Sequence, residues 1–239
     1  MIVMKLLICK QGEKVTKPRI LFFDLETVGV GSALKSDLGM IIMAGIKWDH
    51  KKTGRVICAT KKELRNFDDV NVCKKLAVEY QKADIVVAHF GSVFDRRMFQ
   101  GRLLIHNLPP IPPTVMRDTC MIVRSVANYS SNRLGYVAKL WKLNNRKIEN
   151  GWPERWVKVL QGNMKEVALM KDYCMHDVLA LEDFYHRLRP FDNAHPRLHP
   201  VDKCGVCGGK TEGRGFRYTK TRRYQRLQCL NPVCQRWSQ

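Results

Sequence analysis

Two kinds of hydrophobic pattern alternate along this chain. Short unbroken apolar runs bounded by Gly, Pro or charged residues read as buried strands, whereas apolar positions at i, i+3 and i+4 read as helices. The pattern predicts strands over Arg19–Asp24, Met40–Trp48 and Arg55–Thr60, the last two as antiparallel partners of the first, with Gly29 and Gly31 in a turn. A helix capped by Asp68 or Asp69 runs to about Lys82, with Val72, Leu76 and Tyr80 on its apolar face. A short strand (Asp84–His89), a helix (Phe94–Asn107) and another strand (Val115–Thr119) follow. Between the last two, Pro109-Pro110-Ile111-Pro112-Pro113 must be loop, because proline cannot continue a helix. Ser131 or Asn132 caps Leu134–Trp141, and one long helix covers Lys165–Leu188. Strands first, then strands alternating with helices, describe a mixed sheet flanked by helices. Pro190, Pro196 and Pro200 punctuate a stretch without periodicity. The expected organisation is therefore a domain over 1–190, a linker over 191–200 and a small module over 201–239.

Composition narrows the class. A chain of 239 residues is long enough to bury a substantial core and carry an appendage. Its formal net charge of +20 points to a polyanionic partner, with nucleic acid the first choice. No run approaches the ~20 apolar residues of a membrane helix. The start, MIVMKLLIC, is short, interrupted by Lys5 and without a small-residue cleavage site, which argues against a signal peptide. Of the nine cysteines, Cys9, Cys58, Cys73, Cys120 and Cys174 are scattered singly and read as buried thiols of a reducing compartment. The expectation is a cytoplasmic protein without membrane association.

Candidate chemistry lies in four carboxylates from three separated segments: Asp24 and Glu26 in ILFFDLETVG, Asp95 in VVAHFGSVFD, and Asp177 in YCMHD. Asp24 and Glu26 are two residues apart at the end of a strand, so both side chains leave the same face. Tyr173 and Asp177 stand at i and i+4 on a helix and also share a face. Hard divalent cations take oxygen ligands, and a pair of them neutralises the attacking and leaving oxygens of a phosphodiester together. No motif suffices alone, since Phe-Asp occurs four times and Tyr-x-x-x-Asp recurs at Tyr80–Asp84. Their order and their strand and helix contexts carry the information.

In that order the motifs resemble the DEDD (DnaQ-like) superfamily of 3′–5′ exonucleases, over roughly residues 18–190. The resemblance implies an RNase H-like fold and two Mg²⁺ or Mn²⁺ ions per site. It implies that Asp24, Glu26 and Asp177 hold the ion that activates water, that Asp24 also reaches the second with Asp95 assisting, and that Tyr173 orients the water. The other branch of the superfamily has a His five residues before the last Asp; here that position is Asp172, so the tyrosine branch is indicated. One position departs: Phe90 stands where the family usually carries a supporting Asn.

The last four cysteines are Cys204-Gly-Val-Cys207 and Cys229-Leu-Asn-Pro-Val-Cys234, separated by 21 residues. Two close pairs across such a gap suit one structural Zn²⁺ in a Cys₄ site, with a pair of disulfides as the alternative. The segment resembles a zinc ribbon with a lengthened second knuckle. Residues 200–239 carry nine Lys or Arg against two acids. Between the knuckles, Arg217, Tyr218, Lys220, Arg222, Arg223, Tyr224 and Arg226 interleave cations with aromatics, a pattern suited to phosphate contact and base stacking. The resulting expectation is an exonuclease with a nucleic-acid-gripping tail, acting on single-stranded DNA or unpaired 3′ ends. RNA substrates, an RNase H-like endonuclease or resolvase, and a non-catalytic binding protein remain alternatives.

Overall fold

The computed structural model describes residues 18–29, 35–145 and 153–238. Cys9 and Gly31 lie outside the described residues. A five-stranded mixed sheet holds the larger part of the chain, in the order β3-β2-β1-β4-β5. Its strands are β1 (Ile20–Gly29), β2 (Gly39–Trp48), β3 (Arg55–Cys58), β4 (Ile85–Ala88) and β5 (Val115–Asp118). β1 and β2 are antiparallel, as are β2 and β3, while β4 and β5 run parallel to β1. This is the mixed, helix-flanked sheet of the expected RNase H-like class.

Helices α1 (Lys61–Arg65), α2 (Val70–Tyr80), α3 (Asp95–Ile105), α4 (Thr119–Val126), α5 (Leu134–Leu140), α6 (Pro153–Leu160) and α7 (Met164–Leu188) complete this part. β1 is buried on both sides, and its alternation assigns the sides. Leu21, Phe23 and Leu25 pack into one cluster with Val72 and Leu76 of α2 and Phe99 of α3. Ile20 and Phe22 enter a second with Val123, Val137, Phe184 and Tyr185. That period of two puts Asp24 and Glu26 on the side of Ile20 and Phe22.

Several boundaries differ from expectation for physical reasons. β1 continues five residues beyond Asp24, because β2 pairs with it as far as Gly29↔Gly39 across a bulge at Glu26/Thr27. The carboxylates therefore sit within the strand rather than at its end, and Gly29 belongs to the strand rather than to a turn. β3 pairs with β2 alone and forms the sheet edge. Asp69 precedes α2 without capping it through its side chain. It is instead fully buried in a charge network, accepting from Arg102 Nε and Nη2, from His106 and from the Ile41 amide. Arg133, not Ser131 or Asn132, occupies the N-cap of α5, with no side-chain cap bond.

The C-terminal part is a second sheet, β6 (Thr211–Tyr218), β7 (Arg223–Cys229) and β8 (Trp237–Ser238), all antiparallel. Among the described residues its buried apolar side chains are Cys204, Val206 and Cys229. The proline-punctuated stretch before it is fastened to the larger sheet's domain. Asp192 is buried and pairs with Arg117 (2.8 Å to Nε), the Tyr185 hydroxyl meets His195 Nε2 at 2.6 Å, and Leu198 joins the second core cluster.

Candidate active site

β1, α3 and α7 carry the four predicted carboxylates. Asp24 and Glu26 come from adjacent same-face positions of β1, and their carboxylate oxygens lie within 4.8 Å of each other and of Cys174 Sγ. Asp95 opens α3 and is 3 % exposed; its Oδ1 accepts from the Leu25 amide at 3.1 Å, between the two β1 acids. Asp177 is 2 % exposed, three residues after Cys174 on α7. Half-buried Tyr173 stands one turn before it.

Electrostatics record this crowding. Burial pushes the Cys174 thiol well above its ordinary range, and the charges of Asp24, Glu26 and Asp177 push it further, so it stays neutral. Burial pushes Asp95 up to about 7; the Leu25 amide opposes this and Asp118 reinforces it. The donor set suits a hard divalent cation. Within it, Asp24 and Glu26 offer oxygen atoms that could hold such an ion, beside the neutral sulfur of Cys174.

A residue that sequence reasoning passed over makes the convergence possible. Gly45 of β2 pairs with Asp24, and a Cβ there would lie 2.7 Å from Val178 Cγ2 and 2.8 Å from Cys174 Sγ. No real Cβ tolerates such contacts, so the missing side chain is what lets α7 settle on the sheet with Cys174 against Asp24 and Glu26. A glycine inside an otherwise apolar run, MIIMAGIKW, was the available signal. Cys174 had none, since only the packed helix reveals it as a neighbour of the acids.

Asp118 shapes the rim. It caps α4 through the amides of Cys120 and Met121, and it also accepts from Phe90 N, Ser92 N and Ser92 Oγ. The loop between β4 and α3 is thereby tied down beside Asp95.

At the other end of the chain, Cys204, Cys207, Cys229 and Cys234 converge, with all four sulfurs within 4.8 Å of one another. Cys207 Sγ and Cys229 Sγ are 3.5 Å apart, and Cys204 Sγ and Cys234 Sγ 3.9 Å. Four sulfurs at about 2.3 Å from a tetrahedral zinc would be about 3.8 Å apart, so the set fits that ion and leaves no sulfur pair at bonding distance. Gly208 turns the first knuckle with φ of 73°, and the Gly209 amide points at Cys207 Sγ (3.4 Å).

The seven basic and aromatic positions of the tail do not share one face. Pairing sets Phe216 opposite Gln225 and Tyr218 opposite Arg223, so Tyr218 and Arg223 lie on one side, where the Arg223 guanidinium sits 4.4 Å above the Phe216 ring. Arg217, Tyr224 and Arg226 take the other side, with Arg226 over Trp237. Lys220 and Arg222 belong to the turn closed by Thr219 N to Arg222 O. A groove of about 1180 Å³ opens where tail meets core, lined among others by Lys142, Arg187, Phe191, Arg236 and Trp237. Among the described residues no helix is long and apolar enough to cross a membrane.

No family model matches the chain, and no curated protein matches it. Solved structures do match. One is the family B DNA polymerase of the hyperthermophilic archaeon Pyrobaculum calidifontis, with a TM-score of 0.58 at 18% sequence identity over 73% of this chain. The match spans only 25% of the polymerase, so what is shared is the fold of one part of that larger protein.

Proposed function

We propose that this chain is a metal-dependent 3′–5′ exonuclease of the tyrosine branch, acting on single-stranded DNA or unpaired 3′ ends. The observation that supports the reading is the group of Asp24, Glu26 and Cys174, with the charge of Asp177 also felt at Cys174 and Asp95 bonded to the Leu25 amide between the two β1 acids, from elements up to 153 residues apart in the chain. A structural core has little use for so much negative charge in one buried place. Asp24, Glu26 and Asp177 would hold one divalent cation, and Asp24 with Asp95 a second. When bound, such ions supply charge neutralisation for the attacking and leaving oxygens. Tyr173, one turn from Asp177, holds the water in line. Water adds to phosphorus as the bond to the 3′ oxygen of the shortened strand breaks, releasing a nucleoside 5′-monophosphate.

The similarity to a DNA polymerase favours nucleic acid as the partner, and DNA first. Residues 201–239 act in this reading as a zinc-held module, attached through 191–200, whose Arg217, Tyr218, Lys220, Arg222, Arg223, Tyr224 and Arg226 contact the strand. The chemistry is tested by digesting 5′-labelled DNA and RNA, single- and double-stranded, with Mg²⁺ or Mn²⁺. A ladder shortening from the 3′ end, abolished by chelation, is the expected result. Internal cuts would indicate an endonuclease instead, and faster loss of RNA would reassign the substrate.

A further inference from the structure

One residue at the rim of the carboxylate site is built in a way that its packing does not explain. Phe90 has φ of 65°, the left-handed region, in which a bulky side chain is disfavoured and Gly or Asn is at ease. The conformation is nonetheless firmly held. The Phe90 amide donates to Asp118 Oδ1 at 2.9 Å, and its carbonyl accepts from Val93 and Phe94 at 3.2 and 3.0 Å. The ring is not used to fill the core, being 37 % exposed. One face of it is covered by the Arg124 guanidinium, 5.6 Å from its centroid. The next residue, Gly91, lies so close to the site that a Cβ there would be 3.6 Å from Asp95 Oδ2. An aromatic ring backed by a cation, presented on a pinned loop beside the acids, has the form of a stacking surface. Strain of this kind persists where the surrounding structure over-determines it, and sites for ligands are where it gathers.

We propose that Phe90, backed by Arg124, is a stacking platform for a base of the strand whose terminal phosphodiester lies at Asp24, Glu26, Asp95 and Asp177. The inference rests on the exonuclease reading. Arg124 gives the ring a cationic back and offers its own charge to the strand's phosphates. Stacking tolerates every base, so the platform grips the strand without selecting sequence.

Phe90→Asn tests this directly, because Asn relaxes the left-handed backbone while removing the ring. The variant melts at or above the wild-type temperature, so lost function cannot be ascribed to unfolding. With full-length protein and single-stranded DNA, KM rises about tenfold, within the range of about 5- to 150-fold typical of one lost stack, while kcat stays within about threefold. An oligonucleotide with 2-aminopurine at its 3′ end, bound in Ca²⁺, is quenched by the wild type and not by Phe90→Asn. Phe90→Trp restores both KM and quenching. A Phe90→Asn protein with wild-type KM and quenching overturns the platform and leaves the exonuclease reading standing. A wild type that shows no metal-dependent hydrolysis overturns both.

Discussion

The two ends of this chain gather their polar ligands by opposite means. Around Asp24, four carboxylates are held by a two-sided hydrophobic core, with Phe22, Phe23, Phe99 and Phe184 fully buried near the strand that carries them. The core exists without the ions, and the site is a by-product of its packing. Around Cys204, the described residues bury only three apolar side chains, too little to order some 36 residues without help. There a metal ion held by the four cysteines would be the core. The same chain thus has one site that would survive loss of its cations and one that would not.

The sharpest way to break the first half of that comparison is to remove a ligand and keep the fold. Asp24→Asn or Asp177→Asn should lower turnover by at least ~10³, with circular dichroism and melting temperature unchanged. Near-normal turnover would move the active site elsewhere. Gly45→Val attacks the packing instead: with every ligand still present, pushing α7 outward by about 1 Å should cost on the order of 10² in rate. If Gly45→Val lowers activity no more than a surface substitution does, the fit of α7 on β2 is not what aligns Asp177.

The second half is broken by Cys204→Ser combined with Cys207→Ser, which leaves two thiols and no zinc seat. Zinc content should fall to zero and β6–β7 should lose its amide protection, while hydrolysis at saturating substrate persists. If the tail neutralises about five phosphates, affinity for single strands changes as roughly the −3.5 power of salt. The double variant should then lose on the order of 10² less affinity between 50 and 200 mM salt than the intact protein does. Equal salt slopes would make the tail a docking surface for another protein. The mildest change is Tyr173→Phe, expected to slow hydrolysis ~10–10²-fold at unchanged KM, since orienting water is worth less than binding a cation. A loss as large as that of Asp24→Asn would give the phenol a greater part.

Elements that read clearly from the residues were those whose burial is continuous. MIIMAGIKW and DIVVAH could only be strands, and the 25-residue α7 only a helix. Short helices were missed where a strand was drawn too far. Thr60-Lys61-Lys62-Glu63 is a reciprocal capping box that starts α1, yet Thr60 was assigned to the end of β3. Thr119 likewise opens α4 rather than closing β5, because Asp118 caps it. Motif order pointed to the acids, but the closeness of Gly45 and Cys174 had no such signal, since helix-on-sheet packing leaves no local trace. The division of the tail's cations between two faces depends on the register of β6 against β7, including a bulge between Gly213 and Phe216. No spacing rule supplies that.

The fastening of residues 191–200 has a consequence for how substrate length is felt. A loose tether would let the zinc-held module search, so that affinity would fall gradually as strands shorten. Here Asp192, His195 and Leu198 are anchored to the larger domain, and the Leu198 amide reaches the Gly205 carbonyl in the first knuckle at 2.6 Å. If the module grips the strand as proposed, so short and fixed an arm would meet it at a set number of nucleotides from the 3′ end. Digestion should therefore slow abruptly once the remaining strand no longer spans both grips, leaving short products of one narrow size: the protein would measure what it leaves behind.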